Sequence, residues 1–132
     1  MNNRVFLPER NRVLVAEDEY FLADDMARLL DEHGATVIGP VACAQEALSI
    51  ASDHGVDCAV LDINLRGCRS DQVARLLRAR GVPFVFATGY EEGEVAEDLR
   101  EIRVYQKPFN VCSLVEDLLV LVNGGGTPGE AA

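Results

Sequence analysis

The stretch RVLVAEDE, residues 12–19, decides how the chain folds. After Arg12 the residues Val13 to Ala16 run apolar without alternation and end abruptly in charge, the signature of a strand covered on both faces. Such a strand belongs to a parallel sheet with helices above and below it. The residues downstream keep to that plan. Leu22, Met26, Leu29 and Leu30 recur at helical spacing and stop at His33-Gly34, a helix-terminating signal. ATVIGPV (35–41) reads as a second strand, and its Gly39-Pro40 points to an edge position. Ala44, Ala47, Leu48 and Ala51 predict a second helix, closed by Gly55.

VDCAVLDI (56–63) is a third strand, apolar until Asp62, and the loop NLRGCRS leads from it into a helix carrying Val73, Leu76 and Leu77. PFVFA (83–87) and RVYQ (103–106) are strands four and five. Between them Val95, Ala96 and Leu99 predict a helix within 91–100, thin on its apolar face and weakened by Gly93. A last helix is expected from about Asn110 to Val122. Residues 1–11 read as a polar arm, with Val5-Phe6-Leu7 as its contact to the domain, and 123–132 (NGGGTPGEAA) as a flexible tail. A domain over 12–122 made of five successive βα units implies an α/β three-layer sandwich. With right-handed crossovers, the compact arrangement is the flavodoxin-like (βα)5 fold with a five-stranded parallel sheet in the order 2-1-3-4-5.

Composition narrows the function. Twelve Lys and Arg against 22 Asp and Glu give a formal net charge of −10, which repels phosphate backbones and disfavours nucleic acid as a partner. Cys43, Cys58, Cys68 and Cys112 show neither CxxC nor zinc-ligand spacing, and read as thiols of a reducing compartment. The N-terminus lacks an apolar secretory core and no stretch approaches membrane-span length, so a cytoplasmic protein without membrane contact is expected.

Open parallel sheets bind ligands at the carboxyl edge of their strands. Strand one ends there in Glu17-Asp18-Glu19, strand three in Asp62, strand four in Thr88 and strand five in Lys107-Pro108. The proposed order sets strands one and three side by side, so three carboxylates converge. Like charges at short range raise one another's pKa and call for a hard cation or an ammonium. Mg²⁺ suits such a site, and Lys107 supplies the ammonium. A carboxylate facing a metal, a lysine and a hydroxyl is equipped to accept a phosphoryl group. Each residue alone has a bland explanation: a solvated acidic loop, a capping aspartate, a turn, a surface lysine. Their joint placement at the ends of four strands does not.

The segments RVLVAEDE, AVLDINL, FATGY and YQKPF, in this order over 12–122, resemble the receiver domain of bacterial two-component response regulators. The resemblance implies Asp62 as phosphoacceptor, served by the phosphohistidine of a sensor histidine kinase or a histidine phosphotransfer protein. It implies Mg²⁺ held by Asp18, Asp62 and the backbone carbonyl of Asn64, with Glu17 acting mainly through water. Thr88 would bond a phosphoryl oxygen, Lys107 would pair with the phosphorylated group, and Lys107-Pro108 would be cis. Asn64 and Tyr90 occupy positions where the family tunes hydrolysis. The receiver would thus catalyse its own phosphorylation and dephosphorylation without turning over an external substrate.

One departure matters. The family usually carries an aromatic three residues before the strand-five lysine, where this chain has Val104, and period-2 alternation sends Tyr105 to the opposite face. With PFVFATGY (83–90), this resembles the single-domain receivers of the FATGUY subclass. Switching is then expected to run through Thr88, Gly89 and Tyr90 into the segment up to residue 100. No output domain is expected after residue 122, so a downstream protein target would read the strand 4–helix 4–strand 5–helix 5 face. The last helix carries apolar residues around half its circumference (Val111, Leu114, Val115, Leu118, Leu119, Leu121, Val122). This fits either a homodimer or partner face or a helix set deeply in the core. The rival readings are a pseudo-receiver, a constitutive binding module without phosphorylation, and an aspartyl-nucleophile phosphatase. The phosphatase fails for want of a second aspartate at Asn64.

Overall fold

The computed structural model describes residues 12–53, 55–89 and 95–124. Five parallel strands form the sheet: β1 (Arg12–Ala16), β2 (Thr36–Val41), β3 (Cys58–Asp62), β6 (Phe84–Thr88) and β7 (Val104–Gln106). They lie in the order β2-β1-β3-β6-β7, which is the expected 2-1-3-4-5. A separate two-stranded hairpin is formed by β4 (Asn64–Leu65) and β5 (Cys68–Arg69). Helices α1 (Tyr20–Glu32), α2 (Ala44–Asp53), α3 (Asp71–Ala79) and α4 (Val111–Val122) fill the crossovers.

Strand alternation divides the core in two. Leu14, Ala59, Leu61, Phe84 and Phe86 face α2 and α3, packing with Ala47, Ala51, Ala74 and Leu77. Val13, Val15, Val60 and Val85 face α1 and α4, packing with Met26, Leu30, Leu114 and Leu118. Both faces of β1, β3 and β6 are therefore buried, which is why their sequences run apolar without a break. Each large side chain so buried contributes about 1.5–3 kcal/mol.

The edge strand β2 contains the one irregularity that bears on the site. Gly39 has φ 103°, and a Cβ there would stand 2.8 Å from Val41 N and 2.9 Å from Val15 O, so only glycine fits. The bulge shifts the β1–β2 register between Leu14 and Ala16. Pairing then resumes, and Val41 O accepts the amide of Glu17 at 2.9 Å.

Two expectations are corrected. The helix within 91–100 is absent from 95–100, where the chain forms a single 3₁₀ turn, Glu97–Leu99, after an extended Ala96. The apolar residues there pack without a helix: Leu99 is buried and Val95 and Ala96 lie half-buried against the same side of the core, while Arg75 and Arg78 of α3 hold Asp98 from outside. The loop NLRGCRS is not irregular. Arg66 (φ 54°) and Gly67 (φ 86°) form a two-residue turn with both centres left-handed, and this joins β4 to β5. The seven apolar residues named on α4 are largely spent on the core: four are buried and Val111, Leu121 and Val122 are half-buried. The arm (1–11), the tail from 125, and Tyr90 lie outside the described residues.

Candidate functional site: an acidic cluster braced by a lysine

β1 and β3 pair in register, Ala16 opposite Leu61, so the residues that follow each strand emerge together at the carboxyl edge. One carboxylate oxygen from each of Glu17, Asp18 and Asp62 lies within 4.8 Å of the others. Glu17 and Asp62 are 2% and 3% exposed; Asp18 is half-buried. Lys107 directly follows β7 and precedes a cis Lys107-Pro108 bond, its amide held by Thr88 O at 2.7 Å. Its Nζ donates to Asp62 Oδ2 at 2.8 Å and to Glu17 Oε2 at 2.9 Å. Glu19, exposed, stands 3.8 Å from the same ammonium.

The charges do not balance. Three carboxylates and one ammonium leave two negative charges in a largely dry cleft. Burial pushes the Glu17 carboxyl up to about 7, against the opposing hydrogen bonds from Glu19 N and Lys107. Burial likewise raises Asp62, again opposed by Lys107. Burial alone would lower Lys107, but its bonds to Asp62 and Glu17 outweigh that and hold it well above its usual value. Among the described residues, Glu17 Oε1 is the buried side-chain polar atom left without a hydrogen-bond partner. An all-oxygen donor set, a residual charge of two and an orphaned buried oxygen together fit a hard divalent cation such as Mg²⁺.

Backbone amides hold the carboxylates in place. Asn64 N donates to Asp62 Oδ1 at 3.1 Å, and Arg66 N, at the hairpin turn, donates to Asp18 Oδ2 at 2.9 Å. The Asn64 side chain accepts Gly67 N at 2.8 Å and so belongs to the turn. Thr88, 1% exposed, ends β6 beside Asp62, whose register partner is Ala87. Its hydroxyl donates to Gly89 O at 3.2 Å. Val104 packs half-buried in the α2–α3 side of the core, whereas Tyr105 enters the α1–α4 side and its hydroxyl bonds Asp117 of α4. Val104 and Tyr105 thus point to opposite faces of the sheet, as strand alternation requires.

Glu17, Asp18, Asp62 and Lys107 are thus brought together as the strand ends predict, with Thr88 adjacent. Two features escape sequence reasoning. Glu17 bonds the lysine directly, a contact that placement at the strand ends does not by itself specify. Ser70 is fully buried and its hydroxyl donates to Asp62 O at 2.7 Å. The serine stands just before an amphipathic helix and so reads as an N-cap; no local signal separates the two roles.

A five-stranded doubly wound domain carrying an acidic cluster and a lysine on the ends of its first, third and last strands has the architecture of a receiver domain. The chain belongs to the response regulator receiver domain family, whose model matches residues 13–118. It is similar to the transcriptional regulatory protein PdtaR of Mycobacterium tuberculosis, 28% identical over 116 residues, covering 85% of this chain and 57% of that protein. It is also similar to the phyllosphere-induced regulator PhyR of Methylorubrum extorquens, 34% identical over 114 residues, covering 81% of this chain and 43% of PhyR. The chain therefore spans about half the length of these curated relatives. The solution structure of SdrG from Sphingomonas melonis superposes with a TM-score of 0.71 at 36% identity, covering 89% of this chain and 99% of SdrG. SdrG is also known in a BeF3-activated conformation, which matches with a TM-score of 0.67.

Proposed function

We propose that the domain over 12–122 accepts a phosphoryl group on Asp62 from the phosphohistidine of a sensor histidine kinase or a histidine phosphotransfer protein, and signals by changing its protein contacts. The observation that carries this reading is the Lys107 ammonium shared between Asp62 and Glu17 beside an unpartnered carboxylate oxygen. A carboxylate so placed is braced at both oxygens, by Lys107 at Oδ2 and by the Asn64 amide at Oδ1. An Asp62 oxygen attacks phosphorus and the P–N bond breaks. The imidazole, protonated on its other nitrogen, leaves neutral with the bonding pair. Lys107 needs only a small displacement from Asp62 Oδ2 to pair with a phosphoryl oxygen. Thr88 turns its hydroxyl from Gly89 O to another. A Mg²⁺ ion held by Asp18, Asp62 and the Asn64 carbonyl would neutralise charge on the transferring group.

The PFVFATGY motif and Val104 in place of an aromatic support a FATGUY-type receiver. In this reading the β6–β7–α4 face is the output surface, with Thr88, Gly89 and Tyr90 as its link to Asp62. Incubation with Mg²⁺ and acetyl phosphate, followed by intact mass, tests the proposal. A phospho-adduct lost in Asp62→Ala is expected. No adduct would leave a constitutive binding module, and turnover of phosphomonoesters would indicate a phosphatase.

A further inference from the structure

Serine ahead of a helix ordinarily accepts a bond from an amide of the first turn. Ser70 stands in that position before α3 and makes no such bond. Its side chain turns inward instead. The hydroxyl donates to the carbonyl of Asp62 at 2.7 Å, with the Ile63 carbonyl as a second, longer acceptor at 3.3 Å, and the residue is 0% exposed. The Ser70 amide donates to Ile63 O at 2.9 Å. These bonds close the base of the β4–β5 hairpin, whose next rungs are Asn64 opposite Arg69 and Leu65 opposite Cys68. The hairpin's amides meet the site at both ends: Asn64 N, beside the base, donates to Asp62 Oδ1, and Arg66 N, at the turn, donates to Asp18 Oδ2.

A continuous hydrogen-bonded strip thus runs from one buried hydroxyl to two carboxylates. We infer that Ser70 is a positioning residue for the phosphoacceptor: it fixes the Asp62 main chain and, through the hairpin it closes, the carboxylates of Asp62 and Asp18. The inference rests on the reading of Asp62 as phosphoacceptor. It adds a group that touches neither cation nor phosphoryl. A cap bond has been given up at α3, so the hydroxyl's placement serves the hairpin and not the helix.

Ser70→Ala removes the hydroxyl at little change in volume. The expected result is a several-fold loss of Mg²⁺ affinity by calorimetry. Phosphorylation by acetyl phosphate at saturating Mg²⁺ slows about tenfold, a fraction of the ~100-fold that a 1 Å misplacement can cost. Val56→Ala, a core truncation ahead of β3 at the opposite edge of the sheet, supplies the control. At a comparable loss of Tm it changes neither quantity. In the unaltered protein, amide exchange at Ser70 and Arg66 should be slow, as in β3. The inference is overturned if Ser70→Ala binds Mg²⁺ and phosphorylates normally, if Val56→Ala is equally slow, or if those two amides exchange at loop rates. If the unaltered protein forms no Asp62 adduct, the proposed function fails instead. The Mg²⁺ titrations and amide exchange then decide on Ser70 alone.

Discussion

Glu17 has a charge problem that its neighbours half solve, and pH exposes it. Its folded pKa, about 7, lies above its ordinary 4.5, so between those values the folded state binds more protons than the unfolded chain. Stability of the metal-free protein therefore falls as pH rises through this window, by up to about 3 kcal/mol from this residue. Asp62, also raised, acts in the same direction. Asp98, held down to about 2 by its bond to Arg75, acts oppositely but only below its ordinary value of 3.8, outside the window. Thermal unfolding in EDTA from pH 5 to 8 should show the decline, and Glu17→Gln should flatten it. Mg²⁺, which takes the place of the proton, should raise Tm more at pH 7.5 than at pH 5. Lys107→Met tests the other side of the balance. Deleting one partner of a buried pair costs about 3–5 kcal/mol when the other must stay charged. The loss should be near that size at pH 8 and much smaller at pH 5.5, where protons replace the ammonium. An equal loss at both would mean the carboxylates never shared it.

Elements that obey a local rule were legible, and those shaped by a distant partner were not. The start of α4 is local: Asn110 Oδ1 accepts Ser113 N at 2.9 Å, and Asn110→Ala should cost about 1 kcal/mol, read as a lowered denaturation midpoint. The segment 95–102 is not local. Val95, Ala96 and Leu99 carry a helical spacing, yet Asp98 is gripped by Arg75 through two bonds, at 2.9 and 3.0 Å, and by Arg78. That grip fixes the 3₁₀ turn against α3 with Leu99 plugged beneath it. Asp98→Ala should therefore speed amide exchange at Leu99 and Ile102, whose bonds to Ala96 O and Leu99 O define the turn, while Tm barely moves. Unchanged exchange would show that Leu99 burial alone holds the turn. The hairpin was missed for a related reason. Gly67 announces a turn, but arginine at φ 54° does not, and its amide is held by Asp18 from 48 residues away. The opposite facing of Tyr105 and Val104 is legible because alternation on a strand is a local geometric necessity.

At the scale of the whole molecule, most of the site was legible because the fold is a device for collecting strand ends. Once five βα units are recognised, Glu17, Asp18, Asp62, Thr88 and Lys107 fall at one edge without further information. What stayed hidden was second in line from the chemistry: the serine behind Asp62 and the hairpin it closes. The same accounting bears on assembly. The apolar breadth of α4 is consumed by the α1–α4 side of the core, and among the described residues its exposed large hydrophobic is Val120 alone. A stable interface buries about 800 Å² per partner around a desolvated centre. A half-buried rim with one exposed valine does not offer that, and two copies each carrying a net charge of −10 repel. Through its α4 face the unphosphorylated protein should therefore not self-associate, as read by light scattering across a wide concentration range, at low salt most of all. A dimer that strengthens as salt is lowered would mean that complementary charge elsewhere on the surface overrides both arguments. A dimer that appears only with salt and is lost in Val120→Glu would return the α4 face to consideration.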